Sequence, residues 1–230
     1  MTWLVLFDVD GTLLLDHDPV YVKANRAALE EVYGTFGEAP DVPGDTAPAH
    51  TRRALRAAGL TDAEIDAGLD RWCESFSARY VELLAGADTS NWTAAPGARE
   101  VLAGIEHRAL LTGNPEAVAR ARMKRLGLDT FFPDGQGAFG CEQEDRVKLF
   151  ALARERAGGW PAERTVEVGD TPLDVSSSQA AGCLCVAVTT GRYGKEELSG
   201  ADIVIDDLTE LTLALAALAN SPKPAPKAGS

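Results

Sequence analysis

The sequence predicts an α/β fold built on a doubly wound, Rossmann-like parallel sheet, with a helical insertion after the first strand. Three observations lead there. Short apolar or β-branched runs at residues 3–7, 165–168 and 183–188, with weaker ones at 109–111 and 203–205, read as strands bounded by Gly, Asp or Thr. Helical patterns at 95–105, 115–126, 146–157 and 173–181 separate them, and such alternation implies parallel strands joined by right-handed crossovers. The strand runs are continuously apolar, as expected where helices cover both faces of the sheet.

Residues 16–91 break the alternation. Helical patterns occupy 20–33, 50–58 and 62–84, with no convincing strand among them. In the last of these, Ile65, Leu69, Trp72, Phe76, Tyr80 and Leu83 recur at three- and four-residue spacings and mark a buried helix face. Setting this insertion aside leaves residues 1–15 and 92–220, the size of one ordinary α/β domain. The last stretch, 221–230, lacks apolar residues and is expected to be disordered.

Composition narrows the function. Apolar residues make up 45% and charged residues 25%, enough for a packed core. A net charge of −13 repels phosphate backbones and anionic lipid headgroups, so neither nucleic acid nor a membrane surface is an expected partner. No apolar run reaches the roughly 18–20 residues of a membrane-spanning helix. The first residues carry no basic leader, and the protein is expected to be cytoplasmic. Four cysteines (Cys73, Cys141, Cys183, Cys185) are too few and too scattered for a disulfide framework, and no zinc-type pairing occurs. Cys183 and Cys185 sit in a strand-like run and are expected to be packing residues.

The chemistry-bearing residues fall at strand ends. The first strand runs into Asp8-Val9-Asp10-Gly11-Thr12, two carboxylates and a glycine turn at a carboxyl end, where ligands bind in open α/β sheets. The second candidate ends in Thr112-Gly113-Asn114-Pro115, a turn whose backbone N–H groups and following helix suit an anion. Arg146 stands in the first turn of a helix, where a cation opposes the helix dipole unless an anion lies nearby. A further strand ends in Gly169-Asp170, with Asp174 four residues on at a helix start. Carboxylates gathered on one sheet edge repel one another without a cation, and an all-oxygen site favours Mg²⁺.

Taken in order, Asp-x-Asp-Gly-Thr at 8–12, Thr-Gly-Asn at 112–114, a basic residue and Gly-Asp-x-x-x-Asp at 169–174 resemble the haloacid dehalogenase superfamily. The resemblance extends through 188–194 and 201–208, similar to the family's closing strands. It implies that residues 16–91 form a helical cap of the C1 type, whose loop over the active site is matched by Gly44, Asp45 and Thr46. It implies Asp8 as the nucleophile that accepts a phosphoryl group, and Asp10 as general acid and base. Mg²⁺ would be held by Asp8, the Asp10 backbone and Asp170, with Asp174 in an auxiliary role. Thr112, Gly113 and Asn114 would hold phosphoryl oxygens, and Arg146 would stabilise nucleophile and transferring group.

The family's basic residue is usually Lys, which leaves Arg146 and Lys148 as alternatives, about 200° apart around the helix. The implied activity is Mg²⁺-dependent hydrolysis of a small phosphorylated metabolite, phosphoglycolate-like in class. Metal-independent dehalogenation has no need of Asp10, a β-phosphoglucomutase-like transfer would differ in its cap contacts, and a non-catalytic phosphometabolite binder has no need of two acids. The reading requires the Asp8 carboxylate to be accessible and close to residues 112, 146 and 170.

Overall fold

The computed structural model describes residues 2–220, so the stretch 221–230 expected to be disordered lies outside the described residues. Six strands, β1 (Leu4–Phe7), β2 (His107–Thr112), β3 (Ala138–Phe139), β4 (Thr165–Gly169), β5 (Leu184–Val188) and β6 (Ile203–Ile205), form one sheet in the order β3-β2-β1-β4-β5-β6. Every pairing is parallel. The helices are α1 (Tyr21–Tyr33), α2 (Ala47–Ala57), α3 (Asp62–Ala85), α4 (Ala98–Gly104), α5 (Glu116–Leu126), α6 (Arg146–Arg156), α7 (Pro172–Ala180) and α8 (Leu211–Asn220).

The central strand shows why the sheet is doubly wound. Val5 and Phe7 pack with Val101 and Leu102 of α4, Val118 and Met123 of α5, and Leu211 of α8. Leu4 and Leu6 face the other way, onto Leu149 and Phe150 of α6. Successive strand residues point to opposite faces, so a strand buried on both must be apolar throughout. Each such side chain contributes about 1.5–3 kcal/mol on burial.

Between β1 and α4 lie only α1, α2 and α3. The expected apolar face of α3 is real: Ile65, Trp72, Phe76 and Tyr80 are fully buried, and Leu69 and Leu83 pack at the edge of the same cluster. Thr61 and Glu64 start this helix with a reciprocal capping box.

Four features depart from expectation. β3 is two residues long, too short to show as a run, and α8 was not anticipated. β2 begins at His107, because polar residues at a half-exposed strand start hide it from an apolar pattern. A disulfide joins Cys73 of α3 to Cys141, 68 residues away, in a 3₁₀ turn at Gly140–Glu142. Chain spacing conceals this pair, since only the packing of the helical segment against the sheet domain brings the two together. Cys183 and Cys185 are buried and unpaired, as expected. Among the described residues no helix is long and apolar enough to cross a membrane.

Candidate active site

The register of the central strands places the acidic residues. Phe7 lies opposite Val168 on one side and Leu110 on the other, so the segments after Phe7, Thr112 and Gly169 leave the sheet along one edge. Asp8 N–H still donates to the Val168 carbonyl at 3.0 Å. The chain then turns over Val9, whose carbonyl accepts from Leu13 N–H at 2.9 Å and Leu14 N–H at 2.8 Å. Gly11 makes the turn with φ of 76°, and a Cβ there would fall 2.2 Å from an Asp170 oxygen, so only glycine serves. Asp170 accepts from the Thr12 hydroxyl at 3.3 Å.

Arg146 is the basic residue of this edge. Asp145 caps α6 by accepting from Val147 N–H at 3.0 Å, and the Arg146 side chain turns inward, 4% exposed. Its Nη2 lies 3.4 Å from Asp8 Oδ1 and 3.0 Å from Glu167 Oε1, and also donates to Asp174 Oδ1. Lys148 points to solvent, which resolves the alternative. Asp174, expected in an auxiliary metal role, lies with Asp8 and Asp170 in one buried acidic cluster and has further partners. Its other oxygen accepts from the Thr171 N–H at 2.8 Å and hydroxyl at 2.7 Å, the capping box that opens α7. This residue thus also anchors Arg146 and caps a helix.

Asn114 ties the second segment to the first. Its Nδ2 donates to Asp10 Oδ2 at 2.6 Å and to Thr112 Oγ1 at 3.0 Å, while its own N–H donates to Thr112 Oγ1 at 3.3 Å. The Thr112 hydroxyl thus serves as the acceptor that shapes this turn. A Cβ at Gly113 would sit 2.1 Å from the Asp45 carbonyl, so the loop before α2 packs directly on the turn. Ala47 N–H donates to the Gly113 carbonyl at 2.8 Å, and Arg146 Nη1 donates to the Gly44 carbonyl at 2.8 Å.

Of the loop residues expected over the site, Gly44 touches Arg146 through its backbone, but the side chains of Asp45 and Thr46 turn away. Asp45 pairs with Arg53, and the Thr46 hydroxyl donates to the Glu144 carbonyl at 2.7 Å while capping α2. The burial of Asp8 corrects a second expectation. The Asp8 side chain is 6% exposed, and of the two motif carboxylates it is Asp10, at 54%, that meets solvent. In this arrangement the Asp8 carboxylate is almost closed to solvent.

One oxygen from each of Asp8, Asp170 and Asp174 lies within 4.8 Å of the others. Burial, then the neighbouring Asp174, raises Asp8 above the usual carboxylate range despite Arg146. Burial and the Asp8 charge push Asp170 up to about 8. Buried carboxylates that resist ionisation together are what a bound divalent cation would relieve, and an oxygen-only set suits Mg²⁺. Asp8 and Asp170, with an Asp174 oxygen in the same cluster, therefore fit such an ion.

Several residues of the site went unrecognised in the sequence. Glu167, fully buried in β4, braces Arg146; a charge inside a central strand was the available signal. Arg122, with Asp18 and Tyr80 behind it, reaches Asp10 from outside the motifs. Arg122 Nη1 donates to both Asp10 oxygens, at 3.0 and 2.8 Å.

The haloacid dehalogenase-like hydrolase family model matches residues 4–182. A phosphoglycolate phosphatase from Rhodospirillum rubrum is 31% identical over 220 residues, covering 90% of this chain and 88% of that protein. The fold is similar to that of a β-phosphoglucomutase from Clostridium difficile, with a TM-score of 0.68 at 16% identity over 96% of this chain and 98% of that one. It is also similar to a predicted phosphoglycolate phosphatase from Haemophilus somnus, with a TM-score of 0.62 at 22% identity, covering 93% and 98% of the two chains.

Proposed function

We propose, from the premise that the chain belongs to the haloacid dehalogenase-like hydrolase family, that this phosphatase hydrolyses small organic phosphate monoesters through an aspartyl phosphate on Asp8. The observation that carries the reading is Arg146 held between Asp8, Glu167 and Asp174, beside Asp170 and at the end of the central strand. A buried guanidinium braced by two further carboxylates keeps its charge and its position against Asp8. Such fixed charge is what an incoming dianion needs.

Asp8 attacks phosphorus, and the bond from phosphorus to the ester oxygen breaks. Asp10, two residues on and open to solvent, gives that oxygen a proton and then takes one from the water that hydrolyses the acyl phosphate. The backbone of the 112–114 turn holds the phosphoryl oxygens, and Asn114 joins them on exchanging its bond to Asp10 for one to phosphate. Arg146 Nε has no hydrogen-bond partner among the described residues, leaving one donor for an incoming oxygen. Asp8, the Asp10 backbone and Asp170 would hold Mg²⁺, which when bound neutralises carboxylate and phosphate charge that would otherwise repel. The helices α1, α2 and α3 act as the cap, and the Gly44 loop is its edge over the site.

The R. rubrum relative supports phosphoglycolate, or another small acid phosphate, as the substrate class. The test is phosphate release from 2-phosphoglycolate and a panel of small phosphate monoesters. Turnover with Mg²⁺ that is lost in EDTA and in Asp8→Asn is expected. Full turnover in EDTA, or in Asp8→Asn, would overturn the reading.

A further inference from the structure

We propose that Arg122 is a positioning residue for Asp10, and that it is itself set by the helical insertion. This rests on the reading of Asp10 as the proton donor to the leaving oxygen. Arg122 lies on α5, outside every motif, and is 2% exposed. A charged group so buried is costly unless paired and fully hydrogen-bonded. Here one face of the guanidinium fork takes both oxygens of Asp10. The other face takes Asp18: Nη2 donates to Asp18 Oδ2 at 2.8 Å and Nε to the same oxygen at 3.0 Å.

Asp18 and Tyr80 connect that second face to the insertion. Asp18 Oδ1 accepts from Val20 N–H at 2.9 Å and Tyr21 N–H at 3.1 Å, at the start of α1. The Tyr80 hydroxyl of α3 donates to Asp18 Oδ2 at 2.6 Å and accepts from Arg122 Nε at 3.1 Å. The Tyr21 and Tyr80 rings lie 5.0 and 5.6 Å from the guanidinium carbon, close enough for cation–π attraction. Asp10 is more than half exposed, and besides Asn114 on its Oδ2 it is Arg122, bonded to both oxygens, that limits its rotamers. The planar fork fixes it, and a single ammonium could not hold two carboxylates in the same way.

The test separates proton donation from folding by varying the leaving group. A nitrophenolate departs without a proton, whereas the alkoxide of 2-phosphoglycolate does not. We therefore compare kcat/KM on 2-phosphoglycolate and 4-nitrophenyl phosphate, each with Mg²⁺. Asp10→Asn is the reference and should lose on the order of 10²–10⁴-fold on 2-phosphoglycolate and far less on the nitrophenyl ester. Arg122→Met should reproduce that split at about 10²-fold, and Arg122→Lys should show a smaller split of the same sign.

Tyr80→Phe, which touches neither Asp10 nor substrate, should shift the ratio in the same direction by a few-fold. If Arg122→Met fails to fold, Arg122→Lys and Tyr80→Phe carry the test. Equal losses on both esters, or none, in the Arg122 variants while Asp10→Asn splits them would overturn this proposal and leave the phosphatase reading standing. No split in Asp10→Asn would instead overturn the role given to Asp10.

Discussion

Asp174 accepts from Arg146 with one carboxylate oxygen and from Thr171 with the other, so it joins the first turn of α6 to the first turn of α7 directly beneath Asp8. Asp170, one residue past β4, has the Thr12 hydroxyl at 3.3 Å as its polar contact and packs against the bare faces of Gly11 and Gly191. The two acids of the Gly-Asp-x-x-x-Asp motif therefore do different work. Asp170→Asn is expected to raise the Mg²⁺ concentration needed for half-maximal activity by more than about tenfold. Asp174→Asn should lower kcat by about 10–100-fold, as loss of a residue supporting another does, with a much smaller change in the Mg²⁺ requirement. Metal titrations of activity in both variants check this, and equal shifts would contradict it.

Arg146 and Lys148 give a sharper contrast. Arg146→Ala leaves Asp8, Glu167 and Asp174 as unpaired buried acids and removes the charge facing the phosphoryl group. A loss of activity on the order of 10²–10³-fold is expected, together with lower thermal stability. Lys148→Ala, at an exposed position, should change neither by more than about 0.5 kcal/mol. Initial rates and melting curves of the two variants decide it.

The buried acids also make stability depend on pH. Asp170 titrates near 8 in the folded chain, whereas an unfolded Asp loses its proton near pH 4. Between those values the folded state holds a proton that the unfolded chain has released, so the stability from this group declines as pH rises through the window. Without metal the melting temperature should fall from pH 5 to pH 8. Mg²⁺ binds the ionised form, so its stabilising effect should be larger at pH 8 than at pH 5, and Asp170→Asn should reduce that difference. Differential scanning fluorimetry with and without Mg²⁺ is sufficient, and a pH-independent Mg²⁺ effect in the unaltered protein would count against the account.

The Cys73–Cys141 disulfide closes a 68-residue separation between α3 and the turn beside Asn114. Cross-linking so long a loop restricts the unfolded chain and stabilises the fold by about 2–4 kcal/mol. Cys73→Ser, or reduction by a dithiol, should lower the melting temperature by roughly 5–10 °C. The cross-link also opposes separation of α3 from the sheet domain, and Asp8 is covered in this arrangement. Turnover should therefore rise on reduction, and Cys73→Ser should turn over equally with and without reductant. A reduced enzyme slower than the oxidised one would contradict this reading.

The sequence made the strand ends legible because apolar runs that stop at acids are local signals: Asp8, Asp10 and Asp170 need no knowledge of distant residues. Arg146 was visible for a similar reason, a cation where the helix dipole disfavours one. Arg122 was not. It sits in the segment RARMKRL among other basic residues, of which Lys124 and Arg125 are exposed, and its partners Asp10 and Asp18 lie 112 and 104 residues away in the chain. Glu167 was overlooked because one charge in a five-residue strand leaves the apolar pattern readable. The burial of Asp8 could not be foreseen either, since it depends on remote segments such as the start of α6, whose Arg146 lies against it.

The central claim is that the Asp8 carboxylate becomes covalently phosphorylated during turnover. Mixing enzyme, Mg²⁺ and 2-phosphoglycolate, quenching in acid within milliseconds and mapping the chain by mass spectrometry tests it directly. One phosphate on the peptide that holds Asp8, absent from Asp8→Asn and decaying as free phosphate appears, is the predicted result. Sustained phosphate release with Asp8 unmodified at every quench time, or with the label on another residue, would contradict it.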